Sequence, residues 1–281
     1  MNIVVFSSGS EGNCTLVRAN NSNILIDAGI SKRQIDLNLE RYELNASNID
    51  ALLITHEHVD HIKGLAMLLK LDGLHIYLSR GTFNAIYAIY KNGNKPKQCE
   101  LMEKKYRARE IHLINRIKDS ILYPSIQIND VLVNVLPTFH DAAESIGFVI
   151  NEGERKLVYI TDTGYVHQSL YPFINNAEAY ILESNHDPEI LMHSARPYPL
   201  KMRILSEHGH MSNEDSMVTL CNVIGAKTRL IMHAHISQEC NLTRIIELTR
   251  DKVFKDYGIP TDNIEFVILR PSPSGEYKIW K

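Results

Sequence analysis

The chain has 281 residues, of which 44% are hydrophobic and 22% are charged, and its formal net charge is -3. These ordinary globular values argue against a global electrostatic footprint for nucleic acid or membrane, so a polyanionic partner would have to be met locally. The four cysteines lie far apart without a CxxC pair, which argues against a disulfide framework or a zinc ribbon and favours a reducing cytoplasm. We also expect no signal peptide and no membrane span.

The predicted elements alternate between strands and helices along the whole chain. Short strands with tight turns come first, followed by an amphipathic helix that begins at Ser31. The apolar run NIDALLI predicts a buried strand, and helix GLAMLLK and strand HIYLS come after residues 55–64. From about 80 to 130 the chain is less regular and strongly charged, starting with the predicted helix RGTFNAIYAIYKN.

The rest of the chain returns to regular elements. Strands are predicted at VLVNVLPT, SIGFVIN, KLVYITD, AEAYILES and RLIMHAH, and helices at SNEDSMVTLCNVIG and NLTRIIELTRDKVFKDYG. Strands and helices in both halves predict an α+β protein with two sheets packed face to face and helices outside, a four-layer αββα sandwich. We expect one domain over residues 1–281, with a charged helical insert at about 80–130.

Residues 55–64, THEHVDHIKG, concentrate metal-binding side chains where the predicted strand ends. His56 and His58 are two positions apart, and side chains at that spacing in an extended segment point the same way. Asp60 and His61 follow at a turn and can face a neighbouring point. Without a cation, this half-buried corner would hold uncompensated polar groups at a cost of several kcal/mol. The pattern therefore predicts a site for two metals.

Three further ligand candidates each follow a β-rich apolar run: His140, Asp162 and His235. Asp162 can bridge two metals, because each of its oxygens can bind one. An Asx turn is the alternative interpretation of its motif, TDTG. His233 competes with His235, since both lie at the end of the same strand and two positions apart.

These motifs resemble, in order and approximate spacing, those of the metallo-β-lactamase superfamily. The shared features are IDAG at 26–29, HEHVDH, His140, TDTG and His235. Finer motifs resemble the YycJ/WalJ branch of that superfamily, namely SSGSEGNC, FHDAAESIGF, ILESNHD, GHMSNEDS and HISQECN. The resemblance spans nearly the whole chain.

The resemblance implies an αββα hydrolase with two divalent cations, in a branch that includes a 5′-to-3′ DNA exonuclease linked to mismatch repair. Ligands of this kind accept zinc and manganese alike. By resemblance, one metal is held by His56, His58 and His140, the other by Asp60, His61 and His235, and Asp162 bridges the two. HISQECN favours His235 over His233.

Three residues near the metals are expected to have further roles. Asp27 is expected to accept a hydrogen bond near the cluster and to fix a histidine tautomer. Asp60 is expected to orient the attacking water as well as to bind metal. His210 precedes Ser212, the predicted cap of a helix, and can stand near backbone N–H groups that favour an anion. The resemblance implies that His210 contacts the scissile phosphate or protonates the leaving oxygen, and a histidine of a capping loop is the alternative.

Substrate contacts are expected in three other places. SSGSEGN, with Ser8, Gly9 and Asn13, could form a nest of N–H groups for a phosphate, or simply a turn between strands. Asn185 in ILESNHD is a further candidate. The insert offers a surface that could follow a phosphate backbone, although a solvated helix face is the commoner explanation of such charges. Its candidate cations are Lys104, Lys105, Arg107 and Arg109.

Three functions compete on this evidence. The first is a nuclease that cleaves phosphodiesters, with DNA favoured as the substrate and no membrane partner. The second is a hydrolase of small thioesters or lactams at the same two-metal site. The third is a metal-dependent binding protein or a flavin-partnered redox protein, which is weaker because no flavin-binding domain is appended.

Overall fold

The computed structural model describes residues 1–279, and the chain divides into two compact units. The first unit comprises Met1–Pro137, Ala142–Ile146 and the chain from Pro271 onward. The second comprises Thr138–Asp141 and Gly147–Arg270. Each unit has its own sheet and helices, and the expectation of one domain over 1–281 stays a prediction.

The first unit contains a seven-stranded sheet and the two strands of a hairpin. The sheet strands are β1 (Asn2–Ser7), β2 (Cys14–Ala19), β3 (Ser22–Ile26), β4 (Ala51–Leu53), β5 (His75–Ser79), β6 (Ile111–Ile114) and β14 (Glu276–Lys278). Their order is β14-β1-β2-β3-β4-β5-β6. Pairing is antiparallel from β14 to β3 and parallel from β3 to β6. The hairpin joins β7 (Ile126–Ile128) and β8 (Val131–Pro137).

Helices follow the strands of this unit where the sequence predicts them. They are α1 (Lys32–Glu40), α2 (Val59–Ile62), α3 (Leu65–Leu68), α4 (Arg80–Asn92) and α5 (Pro96–Arg107). Ser31 caps α1, since its side chain accepts from the backbone N–H of Gln34 while the Gln34 side chain accepts from the N–H of Ser31. This reciprocal pair satisfies two donors that a helix start otherwise leaves open.

The charged region from 80 to 114 is an integral part of the first unit. Ile86 and Tyr90 of α4 and Met102 of α5 lie in the same buried core as Ile76 of β5. Strand β6 then pairs in parallel with β5 and forms the edge of the sheet. The segment therefore completes the sheet and its helical cover.

The second unit carries a mixed sheet in the order β13-β12-β11-β10-β9. The strands are β9 (Ile146–Glu152), β10 (Arg155–Ile160), β11 (Ala179–Glu183), β12 (Leu230–Ala234) and β13 (Glu265–Ile268). The helices are α6 (Tyr171–Ile174), α7 (Pro188–His193), α8 (Tyr198–Ile204), α9 (Asn213–Val223) and α10 (Thr243–Asp256). Strands β10 to β13 run parallel, so the residues that follow them emerge at one edge of the sheet, where ligands bind in sheets of this kind.

None of the helices formed by residues 1–279 is both long and apolar enough to cross a membrane.

Candidate metal centre

The first unit gathers the four side chains of the HEHVDH cluster. The ring centroid of His56 lies 4.6 Å from that of His58 and 4.0 Å from that of His61. The Nε2 atom of His61 lies 3.5 Å from Oδ2 of Asp60. His56 and His61 are fully buried, because His56 comes shortly after the buried strand β4 and His61 lies on the buried face of α2. Three imidazoles and a carboxylate thus face one small region.

Asp27 orients the ring of His61 from behind. Its buried carboxylate lies 2.8 Å from Nδ1 of His61 and accepts hydrogen bonds from the backbone N–H and the hydroxyl of Thr55 at 2.8 and 2.9 Å. Burial raises the pKa of Asp27, while the charge and hydrogen bond of His61 oppose that rise. With Nδ1 at the carboxylate, Nε2 of His61 points toward Asp60. This geometry supports the role expected of Asp27.

The SSGSEGN loop closes on itself and against the cluster. The Asn13 side chain accepts from the N–H of Gly9 at 2.9 Å, and its Nδ2 lies 3.0 Å from Nε2 of His61. The N–H of Gly12 donates to the carbonyl of Gly9 at 3.0 Å, and Ser8 is buried. Two amides of the expected phosphate nest are therefore used inside the loop, and phosphate binding there stays a prediction.

Gly29, the glycine of IDAG, allows the SSGSEGN loop to pack closely against the HEHVDH cluster. A Cβ at this position would lie 1.6 Å from the carbonyl oxygen of Asp60. The N–H of Gly29 donates to the Asn13 carbonyl, and the N–H of Asn13 donates to the Asp60 carbonyl, at 2.8 and 2.7 Å. A side chain at residue 29 would push Asp60 out of position, since the clash is with backbone.

The second unit gathers the other predicted site residues around Asp162. Its Oδ1 atom lies 3.3 Å from Nδ1 of His235, 3.9 Å from Nε2 of His140 and 3.9 Å from Nδ1 of His210. Asp162 and His235 follow the carboxyl ends of β10 and β12, with φ angles of 54° and 51°. Asp and His tolerate this left-handed conformation better than most residues, and it turns each side chain as the strand ends.

Glu183 belongs to this cluster, although the sequence analysis did not select it. Its Oε1 atom lies 2.7 Å from Nδ1 of His210 and 2.9 Å from Nδ1 of His235. Burial alone would raise the pKa of Glu183, but His210 and His235 outweigh it and lower the pKa. Glu183 ends the apolar strand AYILE, the same signal that identified Asp162 and His235.

The chemistry of both clusters fits divalent cations. In the second unit, Asp162, Glu183, His210 and His235 each offer a ligand atom, and these atoms lie within 4.8 Å of one another. Imidazole nitrogen and carboxylate oxygen together suit zinc and manganese. The donor sets of the two units therefore match the cofactors expected from the sequence.

His140 is held by the loop that follows α8. Its Nδ1 atom donates to the Gly209 carbonyl at 2.9 Å, which directs Nε2 toward Asp162. Burial lowers the pKa of His140, with Asp162 opposing the change, and this direction favours the neutral ring that a metal ligand requires. Asp141 lies 3.3 Å from the same Nε2 and is ion-paired with Arg203.

His233 occupies a different environment from His235. Its ring stacks on Phe266, with centroids 6.3 Å apart and planes 5° apart. Burial, with Arg250 as a second cause, lowers the pKa of His233 to about 3. His233 and His235 therefore lie in different surroundings, because the left-handed backbone at His235 breaks the alternation that the strand would otherwise continue.

Two of the expected substrate contacts have structural partners. The Asn185 side chain donates to the backbone carbonyl of His235 at 2.7 Å, so it anchors the turn that carries this residue. At the start of α9, the N–H of Asp215 donates to the Ser212 hydroxyl, and the N–H of Asn213 donates to a backbone carbonyl. These two amides are therefore already hydrogen-bonded within the protein. His210 is positioned by Glu183.

Lys105 departs from the expected cationic surface of the insert. Its side chain is only 4% exposed, and Nζ lies 2.6 Å from the Leu71 carbonyl and 2.5 Å from Oε2 of Glu110. The apolar stem lies in the interior while the ammonium reaches fixed acceptors. Lys105 is therefore a structural residue, which corrects its assignment as a phosphate contact.

The other cations of the insert are exposed. Lys104 lies 3.9 Å from Asp72, and Arg107 lies 3.2 Å from Glu103. Arg109 is exposed at the turn after α5, with a φ of 59°. Carboxylates thus offset part of the positive charge, and contact of these three residues with substrate stays a prediction.

Comparison with known proteins identifies relatives over almost the full length. The family model described as the beta-lactamase superfamily domain matches residues 22–234. Exodeoxyribonuclease YycJ of Bacillus anthracis is 34% identical over 254 residues, which cover 90% of this chain and 89% of the relative. Exodeoxyribonuclease WalJ of Streptococcus pneumoniae is 30% identical over 271 residues, which cover 96% and 93%.

A solved structure shares the fold. The metallo-beta-lactamase fold protein YhfI from Bacillus subtilis aligns with a TM-score of 0.65 at 17% identity, covering 99% of both chains. At that identity the likeness concerns the fold alone. It confirms the α+β class and the metallo-β-lactamase fold expected from the sequence, and the sequence relatives confirm the resemblance read from the motifs.

Proposed function

Because this chain belongs to the metallo-β-lactamase superfamily, in the YycJ/WalJ-like group, we propose that it is a metal-dependent exodeoxyribonuclease. One observation carries the proposal. Relatives named exodeoxyribonuclease align over about nine-tenths of both chains, and the side chains of the shared motifs form histidine and carboxylate clusters in both units.

Seven residues would hold two divalent cations. We assign them as the sequence analysis did, to His56, His58, Asp60, His61, His140, Asp162 and His235. When bound, such cations would supply an activated water and would polarise the attacked phosphoryl oxygen. The contact between His235 and Asp162, together with the stacking of His233 on Phe266, supports His235 as the ligand from its strand.

Residues of the chain position these groups for hydrolysis. Asp27 holds Nδ1 of His61 and so presents Nε2, which keeps the ring in one tautomer. Glu183 holds Nδ1 of His210, and Nε2 is then the nitrogen that can meet the scissile phosphate or the leaving oxygen. Asp60 lies beside His61 and is suited to orient the attacking water. A positioned proton donor of this kind typically contributes about 10²–10⁴-fold to the rate.

The finer assignments extend the same proposal. We infer that the substrate is DNA, attacked from its 5′ end in a repair process, and that either zinc or manganese supports the reaction. The four cysteines are free thiols, which supports a reducing compartment such as the cytoplasm.

A nuclease assay tests the proposal directly. The protein is given duplex DNA and RNA with 5′-phosphate or 5′-hydroxyl ends, in the presence of manganese or zinc. We expect mononucleotides to be released from the 5′ ends of DNA, and we expect chelation or Asp162→Asn to abolish the release. Asp36→Asn, which alters a half-buried carboxylate on α1 that pairs with Lys32, is the control and should retain activity.

Failure to cleave DNA or RNA would favour a different hydrolase activity. If neither metal supports phosphodiester cleavage while a small thioester or lactam is hydrolysed, the second function considered from the sequence takes first place.

A further inference from the structure

Helices α2 and α3 form one nearly continuous helical segment that carries two proposed metal ligands. Lys63 and Gly64, which join them, both have right-handed helical angles. The N–H of Lys63 donates to the Val59 carbonyl at 2.9 Å, and the N–H of Leu68 donates to the Gly64 carbonyl at 3.2 Å. The N–H of Gly64 donates to the Ala28 carbonyl at 2.7 Å, so the hydrogen-bond ladder is interrupted at the junction. The helical angles on both sides nevertheless keep the segment close to helical spacing from Asp60 to the end of α3.

One face of this segment is exposed and has a mixed character. Val59, Lys63, Met67 and Lys70 are exposed and are separated by four, four and three positions, the spacing that places side chains on one helical face. Val59 is 67% exposed and Met67 is 47% exposed. Two apolar side chains thus alternate with two lysines along a stripe that begins beside Asp60.

The two lysines differ from the insert cations in their surroundings. Lys104, Lys105 and Arg107 each lie within ion-pair distance of a carboxylate. Lys63 and Lys70 have no such neighbour among residues 1–279. Their charge is therefore available to an external anion, and the helix holds it at a fixed distance from the proposed metal ligands.

We propose that the stripe of Val59, Lys63, Met67 and Lys70 binds the strand of DNA that leads away from the cleaved bond. This proposal rests on the proposed nuclease function and identifies where the substrate lies. Each lysine would neutralise a backbone phosphate, and the apolar side chains would contact sugars or unstacked bases, as exposed apolar residues of DNA-binding proteins do.

The dimensions of the stripe suit a strand of nucleic acid. Lys63 and Lys70 are seven residues apart, which is a rise of about 10 Å along a helix. One strand of a duplex rises about 3.4 Å per phosphate, so the two lysines span roughly three nucleotides. Since Asp60 and His61 lie within one turn of Lys63, the helix sets the register between the bound phosphates and the reacting one.

Salt-dependent DNA binding tests the stripe. The holoenzyme with Lys63→Gln and Lys70→Gln is compared with wild type by fluorescence anisotropy, on a duplex whose phosphorothioate ends resist hydrolysis. Loss of two phosphate contacts should reduce the slope of log Kd against log salt by roughly 1.8 on this duplex and weaken binding about tenfold or more at 0.1 M salt. Lys63→Arg with Lys70→Arg should restore the slope, because it restores the charge.

A matched control and a kinetic readout keep the test specific. Lys252→Gln with Lys255→Gln removes two exposed lysines from α10 and should leave the slope as in wild type. The ratio of kcat/KM on DNA to kcat/KM on bis(p-nitrophenyl) phosphate should fall only in the stripe variant. An unchanged slope in the stripe variant, or an equal change in the control, overturns the inference while leaving the nuclease proposal intact. Absence of DNA cleavage by wild type instead overturns the nuclease proposal.

Discussion

Replacing Asp27 by asparagine tests how a buried carboxylate supports the cluster. Three donors converge on it, namely the N–H and hydroxyl of Thr55 and Nδ1 of His61. An asparagine oxygen can accept two hydrogen bonds, but its NH₂ group would face the third donor. One buried donor left unsatisfied costs about 1–3 kcal/mol. Because the His61 ring would no longer be fixed, metal affinity should fall about 10–100-fold.

Two measurements and two comparison variants decide this prediction. Denaturant unfolding gives the free-energy change, and competition with a chelator gives the metal affinity. Asp27→Ala should cost roughly 1–2 kcal/mol more, since alanine must also adopt the left-handed φ of 59°. Asp36→Asn on the surface should change stability by at most about 1 kcal/mol. If Asp27→Asn binds metal as tightly as wild type, the carboxylate does not act through His61 and the reasoning fails.

Three other predictions address the remaining site and the insert. His235→Ala should remove about one of two metal equivalents, whereas His233→Ala should lower Tm and leave the metal count unchanged; elemental analysis showing the reverse would reassign the ligand. His210→Ala should lower kcat by about 10²–10⁴-fold at constant metal content, and a parallel loss of metal would make it a ligand instead. Glu110→Gln should destabilise the protein by roughly 1–3 kcal/mol at neutral pH, because the buried Lys105 loses its carboxylate. The hydrogen bond from Lys105 lowers the pKa of Glu110, so this stability difference is complete above the ordinary carboxyl pKa. The stability difference between wild type and Glu110→Gln should vanish as the pH falls through the lowered pKa that Glu110 has in the folded state. A difference that persists in acid would show that the ion pair between Lys105 and Glu110 is not its cause.

Local sequence patterns were sufficient to predict most elements. The apolar period over 80–92 predicts α4 with the bounds observed, and Ser31 with Gln34 forms the expected helix start. These features depend on neighbours within a few positions, where spacing determines which side chains meet. The pairing of β6 with β5 depends on residues more than thirty positions apart, so the insert could not be recognised as part of the sheet.

The site features that the sequence analysis missed or misassigned depend on tertiary contacts, which periodicity does not capture. Glu183 lies at the end of a strand as Asp162 does. Its place in the cluster, however, depends on its contacts with His210 and His235 in the folded protein. The sequence likewise shows a charge at Lys105 without the carbonyl and carboxylate that enclose it. At His235, one left-handed residue redirects the side chain. Burial partners and single dihedral angles are tertiary properties, and the linear pattern leaves them undetermined.

The left-handed backbone at Asp27, Asp162 and His235 limits how this protein could be re-engineered for another metal. Exchanging Asp162 or His235 for cysteine or glutamate changes the donor and also imposes a backbone penalty of roughly 1–2 kcal/mol. The same penalty applies at Asp27, which orients His61. His58 has an extended backbone, with a φ of -63° and a ψ of 148°, and carries no such penalty. Libraries that seek new metal selectivity should therefore vary His58 first, and should offer mainly asparagine, aspartate and histidine at the three left-handed positions.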